Sequence, residues 1–524
     1  MCIRDRRDPR ARRAIGDRAA RRATARRDAR ERHRRRRVSL CRASRMRSTS
    51  TRSTNATRGA RRDATRESAR VSRRGTARDA RAMRRARASA SDGWLYCGLD
   101  FGTSSARLAL VDDRGALVGV RTRAYDDANA SVARAWERAL FELLEDAMDA
   151  EERERCQGVA VDGTSGTVVI VDARDGRALR EPYMYNETFP DEVERVRALR
   201  NGPGKDSTES ASSAACKLSR WFRVDAEGDR EHAALLHHAD WLAYLLHKKM
   251  GMSDFNNALK LGFDPAPGVE AFPGWLRDAP FGYMLPTDVR APGTSFGVMD
   301  ADVAKRLGFP STCEVIAGTT DSVAAFVASK AAESGECATS LGSTLALKLI
   351  SDTRVDDLSS GVYSHRLNGR WLVGGASNLG GWILRRFFSN DALESLSEKI
   401  ANEGYVATED YFDGVMLGFG LSVDEASAIV EKSRPADDAQ FVVNILSSIA
   451  NVEARCYERM RTLGASHGAR KVYTAGGGAK NGVWSGMRSK AMGDIPVERS
   501  ACDEAAYGAA LLARQGRKRL SGYI

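Results

Sequence analysis

The chain is 524 residues long, beyond the length at which a single hydrophobic core keeps growing, so two domains are expected. Its formal charge of +13 is unevenly placed: residues 1–92 hold 33 arginines, no lysine and nine acids, a balance of +24, whereas the remaining 432 residues carry 49 basic and 60 acidic side chains, a balance of −11. An acidic body argues against a folded surface that grips nucleic acid, and no apolar run of 18 residues is present to span a membrane.

The leading segment has too few large apolar residues to offset its ordering entropy and is expected to be disordered. Its richness in arginine, serine and threonine from Ser44 to Ser91 fits a transit peptide, while its nine acids and missing lysine fit translation from upstream of a start at Met46 or Met83. Both readings stay open. The nine cysteines are scattered, with no C-x-x-C pair and no metal-ligand spacing, and read as buried, reduced thiols.

From Trp94 a short buried strand runs into Asp100-Phe101-Gly102-Thr103-Ser104. After this loop Leu108 and Leu110 alternate on one face, and Asp113-Arg114-Gly115 supplies a turn, so a β-hairpin is expected. A helix would follow the glycine loop of a dinucleotide fold or a P-loop, and the only Gly-Lys pair, Gly204-Lys205, lacks the Ser or Thr of a Walker motif. Val132, Trp136, Leu140, Phe141, Leu144 and Met148 stand at helical spacing. A strand at 158–161, a loop Asp162-Gly163-Thr164-Ser165-Gly166-Thr167 and a strand at 168–172 repeat the strand, polar loop, strand pattern. It recurs at Thr339–Thr344, about 240 residues after the first copy, which suggests two similar halves that face one cleft. Late in the chain, a strand at Lys471–Thr474 leads through Gly476, Gly477 and Gly478 to a helix N-terminus with Trp484 and Met487 on its apolar face.

A hairpin tip of Gly102, Thr103 and Ser104 offers backbone N–H groups and hydroxyls to phosphate oxygens. Asp100 before it either holds Mg²⁺ or orders the loop as an Asx-turn. Asp321, after Gly318-Thr319-Thr320, begins a helix and reads equally as an N-cap or as a general base that a sugar approaches closely because Gly318 removes bulk. Gly476, Gly477 and Gly478 form either a tight turn or a bare surface for adenosine, with Asn481 reaching the ribose or α-phosphate. His237, His238 and Asp240 read as the capped, partly buried start of a helix rather than a metal site, since adjacent histidines point to different faces.

Asp100-Phe101-Gly102-Thr103-Ser104, Gly318-Thr319-Thr320-Asp321, Ser340–Thr344 and Ala475–Asn481 resemble, in content, order and spacing, the FGGY carbohydrate kinases. The resemblance spans about Gly93 to Leu512. Within that family, Ser253–Pro265, Tyr363–Arg366 and Gly374–Gly381 are similar to the D-ribulose kinases of plants and cyanobacteria. The resemblance implies a catalytic base at Asp321, with Ser165, Asp321 and Ser322 against the sugar. It implies a magnesium and phosphate site at Asp100, Thr103 and Ser104, and places Gly342, Gly477, Gly478 and Asn481 around the nucleotide. Ala214 stands where the family usually has proline, and the stretch from Tyr411 to Pro435 departs from the family pattern.

The expected fold is therefore α/β, a two-domain actin-like ATPase (ribonuclease H-like) architecture with its active site in the interdomain cleft. The expected boundaries are an arginine-rich extension over 1–92, a sugar- and phosphate-binding domain over 93–328, a nucleotide-binding domain over 329–512 and a tail over 513–524, with the last helix docking back on the first domain. The expected activity is transfer of the γ-phosphate of Mg·ATP to a pentulose, D-ribulose foremost, with D-xylulose, L-ribulose or glycerol as alternatives and an ATP-hydrolysing switch as the rival of another class. The expected partners are a small ketose and ATP, with no nucleic acid and no membrane; the resemblance and the leader suggest the chloroplast, with the cytoplasm as the alternative.

Overall fold

The computed structural model describes residues 93–521 apart from 126–130, 203–206, 227–229 and 418–420; the arginine-rich leader and the Gly204–Lys205 pair lie outside them. The first half opens with β1 (Leu95–Phe101), β2 (Ser105–Asp112) and β3 (Leu117–Ala124), followed by helix α1 (Val132–Glu145) and β4 (Cys156–Gly163). A lobe follows in which β5 (Val168–Asp172) pairs with β6 (Ala233–His237), and β7 (Met252–Asp254) with β8 (Asp288–Arg290). Helix α2 (His238–His247) links β6 to β7, and α3 (Phe255–Leu259) follows β7 directly. Strands β9 (Ser295–Val298) and β10 (Glu314–Ile316) and helix α4 (Asp321–Ser329) complete the half.

Its main sheet has the order β3-β2-β1-β4-β10-β9, with β1, β4 and β10 parallel. The hairpin expected after the glycine loop is β1–β2, in register from Leu95↔Asp112 to Phe101↔Ala106. Helix α1 forms because Ser131 caps it, accepting a hydrogen bond from the Arg134 amide, and because Trp136, Ala139, Leu140, Leu143 and Leu144 share one buried face. It ends at Glu145, so Met148 packs from beyond the helix, and Val132 is exposed. Helix α2 starts at His238 with Asp240 bonding back to the His237 amide, which matches the capped-helix reading of that pair.

The second half repeats the plan with β11 (Glu336–Leu341), β12 (Leu345–Ser351), β13 (Tyr363–Leu367), β14 (Arg370–Ser377), β15 (Lys471–Ala475) and β16 (Val497–Arg499), in the order β13-β14-β12-β11-β15-β16. In each half a hairpin and a third antiparallel strand precede a parallel pair: β3-β2-β1-β4-β10 matches β14-β12-β11-β15-β16. Helices α5 (Trp382–Phe387), α6 (Asn390–Glu403), α7 (Asp438–Thr462), α8 (Gly482–Ala491) and α9 (Ala505–Leu520) complete it. The divergent stretch after Tyr411 includes a helix, Val423–Lys432, closed at its start by a capping box of Ser422 and Glu425.

Separate apolar cores fill the two halves, and α9 crosses back to cover the first sheet with Ala506, Ala509, Ala510 and Ala513. The approach is close enough that a Cβ on Gly98 of β1 would stand 2.1 Å from the Ala506 carbonyl oxygen, and one on Gly508 of α9 1.8 Å from that of Ala324 in α4. Residues 513–520, expected as a tail, are instead the last two turns of α9: Arg514 and Lys518 bond the Asp113 carbonyl at 2.7 and 2.9 Å, which gives the helix reason to continue. Among the described residues no helix is long and apolar enough to cross a membrane.

Candidate active site

Three parallel neighbours, β1, β4 and β10, end at one edge of the first sheet, and each delivers a carboxylate there. Asp100 and Asp162 are partners in the β1–β4 register, and an isolated bridge between Gly163 and Thr320 carries the chain beyond β10 to Asp321, the first residue of α4. Asp162 is completely buried, and only the Asp100 carboxyl beside it is placed to share a hydrogen bond with its oxygens. Burial, and then the charge of Asp100 beside it, hold its carboxyl well above the usual range. A buried carboxylate whose one neighbour is another carboxyl calls for a proton or a cation, and a carboxylate pair with room for phosphates suits magnesium, which takes one or two protein carboxylates and fills its remaining sites with water and nucleotide oxygens. Among the described residues no cluster of three acidic, histidine or cysteine side chains forms a cage made of protein alone.

Burial raises Asp321 to about 6, and Asp100 adds to the rise; the amides of Ser322 and Ser165 and the ammonium of Lys348 oppose it. The Ser322 amide donates to Oδ1 of Asp321 at 2.7 Å. Ser165, Asp321 and Ser322, expected together against the sugar, are thus brought together, and Ser165 Oγ is buried without a partner. The loop that carries Ser165 is held from behind. His238 Nδ1 accepts the Thr164 amide at 3.2 Å while its ring lies 3.8 Å from that of Trp136, and the buried Lys217 ammonium donates to the Gly166 carbonyl at 2.8 Å. Burial lowers Lys217 to about 8.

Gly318 does not clear space for a sugar: its missing Cβ would fall 1.9 Å from the Val161 carbonyl, so the glycine is needed for the chain leaving β10 to cross β4.

Two hairpin tips carry further expected site residues. At the first, Thr103 and Ser104 are exposed, and Tyr125 fixes the turn by donating its hydroxyl to the Gly102 carbonyl and its amide to that of Ser104, both at 3.2 Å. At the second, residues 342–344, the Gly381 amide donates to the Gly342 carbonyl at 2.9 Å, and Arg385 of α5 donates to Ser343 Oγ at 2.6 Å. A cavity of about 760 Å³ opens beside this second tip, lined by Gly342, Gly477, Gly478 and Asn481 together with Arg385, Glu394, Glu398 and Trp484. The volume suits a nucleotide-sized ligand.

Details of that pocket differ from expectation. A 3₁₀ turn, Gly477–Lys480, intervenes between β15 and α8, so the glycines do not themselves begin the helix. A Cβ on Gly477 would meet open space, but one on Gly478 would meet Leu341 at 2.6 Å and Trp484 at 2.9 Å; only the former exposes bare backbone for want of a side chain. Asn481 caps α8 through the Trp484 amide at 3.0 Å and donates to Ser397 at 3.0 Å, so its amide shapes the wall while it lines it.

Asp162 was not among the expected site residues, although Asp162-Gly163-Thr164-Ser165 echoes Asp100-Phe101-Gly102-Thr103-Ser104 and marks it. Arg385, Glu394 and Glu398 lie on helices with ordinary surface composition and carry no such mark.

Residues 337–515 match the FGGY family of carbohydrate kinases, C-terminal domain. Across most of the chain the fold is that of solved kinases. A xyloylose kinase from Brucella ovis superposes with a TM-score of 0.67 at 19% identity, covering 81% of this chain and 91% of that one. The xylulose kinase of Bifidobacterium adolescentis gives 0.61 at 21%, covering 82% and 93%, and Plasmodium falciparum glycerol kinase with ADP gives 0.64 at 16%, covering 82% and 90%. The second half thus matches the C-terminal domain of the FGGY family of carbohydrate kinases, and the fold as a whole is the two-domain fold of solved sugar kinases.

Proposed function

We propose that this protein is an ATP-dependent carbohydrate kinase of the FGGY family that transfers the γ-phosphate of ATP to the terminal hydroxyl of a pentulose, converting D-ribulose to D-ribulose 5-phosphate. The observation that carries the reading is Asp321: a carboxylate at the start of α4, raised to about 6, beside the Ser165 loop and the carboxylates of Asp100 and Asp162. A base with that proton affinity is ionised at neutral pH and close enough to it to accept a proton. The sugar hydroxyl oxygen forms the new bond to phosphorus, the bond from phosphorus to the β,γ-bridging oxygen breaks, ADP leaves, and the hydroxyl proton passes to Asp321. The Gly102 amide is spent on the Ser105 carbonyl at 3.1 Å and that of Gly342 on the Thr344 carbonyl at 3.2 Å, so the amides and hydroxyls of Thr103 and Ser104, with Ser343 and Thr344 of the second tip, hold the phosphate oxygens in line. Asp100 and Asp162 would hold magnesium, whose charge, when bound, offsets that of the phosphates.

The pentulose assignment draws on the stretches similar to D-ribulose kinases, which the fold gathers at the cleft: Asn256 and Lys260 from the first half, and Tyr363 and Gly374 from the second. The test is ATP-to-ADP turnover with D-ribulose, D-xylulose, L-ribulose, glycerol or no sugar. Turnover that requires D-ribulose is expected; equal turnover with every addition would point to an ATP-hydrolysing switch, and preference for another sugar would replace the substrate. Asp321→Asn is expected to lower kcat by roughly 10² to 10⁴, the range of a lost general base, and undiminished turnover would remove Asp321 from that role.

A further inference from the structure

The head of α5 packs directly on the hairpin tip at residues 342–344. A Cβ on Gly380 would stand 2.4 Å from the Ser343 carbonyl oxygen, and one on Gly381 2.9 Å from that of Gly342, so the approach needs both glycines. The Gly381 amide donates to the Gly342 carbonyl at 2.9 Å and the Trp382 amide to that of Ser343 at 3.4 Å, while the Gly342 amide is engaged by the Thr344 carbonyl. These backbone donors serve the junction itself, so a positive charge offered to a ligand at this place has to come from a side chain.

Arg385 supplies one. It stands one turn into α5, its amide donating to the Gly381 carbonyl at 3.2 Å, and a long side chain on a helix points back towards the helix N-terminus. The guanidinium accordingly returns over Gly381, with Nη1 3.4 Å from where a Cβ there would stand, and Nη2 donates to Ser343 Oγ at 2.6 Å. A guanidinium has five N–H groups in a fixed fork, so this bond leaves most of them for a ligand. Among the described residues Arg385 has no ion pair, whereas its neighbour Arg386 pairs with Glu431 at 3.4 Å. Ser343, in accepting from Arg385, keeps its own hydroxyl proton to donate elsewhere, and both side chains are exposed.

The charges around the adjoining cavity are sorted. Arg385 is fixed at the tip, whereas Glu394 and Glu398 stand one turn apart on α6, beside Ser397, to which Asn481 donates at 3.0 Å. Of the two basic side chains on the wall, Arg385 and Lys480, only Arg385 is bonded to a tip among the described residues. A ligand with an uncharged body and an anionic chain has that chain repelled by the carboxylates and drawn to the guanidinium. Its body then lies along α6 and its chain runs past Ser343, over backbone left bare at Gly342 and Gly477, where a Cβ would meet open space.

We propose that Arg385 is a phosphate-binding residue of the nucleotide site: its guanidinium forks between Ser343 Oγ and the phosphate chain, so that arginine and hairpin tip grip the chain together. The inference rests on the cavity taking ATP, as proposed above. Its consequence is that a side chain of α5 makes nucleotide affinity depend on the phosphates, and that a nucleoside without them is indifferent to it.

The experiment is calorimetric titration of the full chain, at fixed Mg²⁺, with ATP, ADP and adenosine, for the parent, Arg385→Gln and Arg385→Lys. Glutamine still offers Ser343 a donor, but without the charge. Arg385→Gln is expected to raise Kd for ATP and ADP roughly 10- to 100-fold, the range of a lost charge-assisted hydrogen bond, and to leave that for adenosine within about twofold. Arg385→Lys, which keeps the charge but cannot fork, is expected to fall between parent and Arg385→Gln for ATP. A residue that only latched α5 to the tip would move all three ligands alike, so equal losses for adenosine and ATP overturn the proposal, as does ATP affinity that stays at the parent value. Should Arg385→Gln fail to fold by circular dichroism, Arg385→Lys carries the same test: weakened ATP with unmoved adenosine is expected, and no separation between the two overturns it. Failure of the nucleotide reading itself is separately visible as a parent chain that binds none of the three, which overturns this inference with it.

Discussion

Replacing Arg488 by methionine is expected to damage the nucleotide half more than replacing Arg488 and Glu453 together. Both side chains are 1% exposed, in the floor beneath the cavity. Arg488 of α8 donates to Glu453 of α7 through Nε and, at 2.7 Å, through Nη2, and also to Thr474 Oγ1 of β15 at 2.7 Å. Thr339 of β11 donates to Glu453 Oε1 at 2.5 Å and meets the Tyr457 hydroxyl at 2.8 Å. The network therefore ties two helices to the strands that end in the Gly342 and Gly476 turns. Taking both charges out of water offsets most of their attraction, so the intact pair adds little net stability, but removing only the guanidinium leaves a buried carboxylate with hydroxyls alone for company. Arg488→Met should cost about 3–5 kcal/mol, and the double change Arg488→Met with Glu453→Leu substantially less. Urea unfolding, with hydrogen exchange of α7 and α8 peptides to isolate this half, gives both values, and KM for ATP should rise with the single change. A single-variant cost below about 1 kcal/mol, or a double cost equal to the sum of the singles, would refute the reasoning.

The glycines make a paired prediction: Gly508→Ala, whose Cβ would stand 1.8 Å from the Ala324 carbonyl oxygen, should lose at least 1–3 kcal/mol as α9 is pushed off α4, whereas Gly486→Ala, in α8 with open space around it, should gain up to about 1 kcal/mol; thermal melts of the two variants decide. Asp162→Asn should raise the magnesium concentration needed for half-maximal turnover roughly 10-fold or more while leaving the melting temperature unchanged or higher, because a buried charge is removed along with a metal partner; an unchanged magnesium requirement would take Asp162 out of that site.

Local pattern was sufficient wherever a feature is made by residues close in sequence. Leu108 and Leu110, followed by Asp113-Arg114-Gly115, declare a hairpin because side-chain alternation and turn chemistry act within a few residues. The helix start at Asp321 is legible because an N-cap stretch precedes an apolar run, although Thr320 and not Asp321 is the N-cap, and the likeness of the tips at Gly102 and Gly342 marks two similar halves.

What the sequence by itself could not determine is whatever depends on register and closure. That Asp162 stands beside Asp100 follows from how β4 docks on β1, 62 residues away, and its carboxylate is desolvated only once the sheet has excluded water. Gly318 and Gly478 looked alike as openings for a ligand; the first lets the chain cross Val161, and the second makes room for Leu341 and Trp484. Arg385, Glu394 and Glu398 become pocket residues because two helices turn those faces inward. Val323 and Phe326 meet Ile350 and Leu372 only because α4 packs against the second sheet, through contacts neither local segment specifies. Composition and periodicity act on neighbours along the chain and so set the elements; the charges that give this site its chemistry are set by desolvation and long-range pairing, which tertiary structure alone supplies.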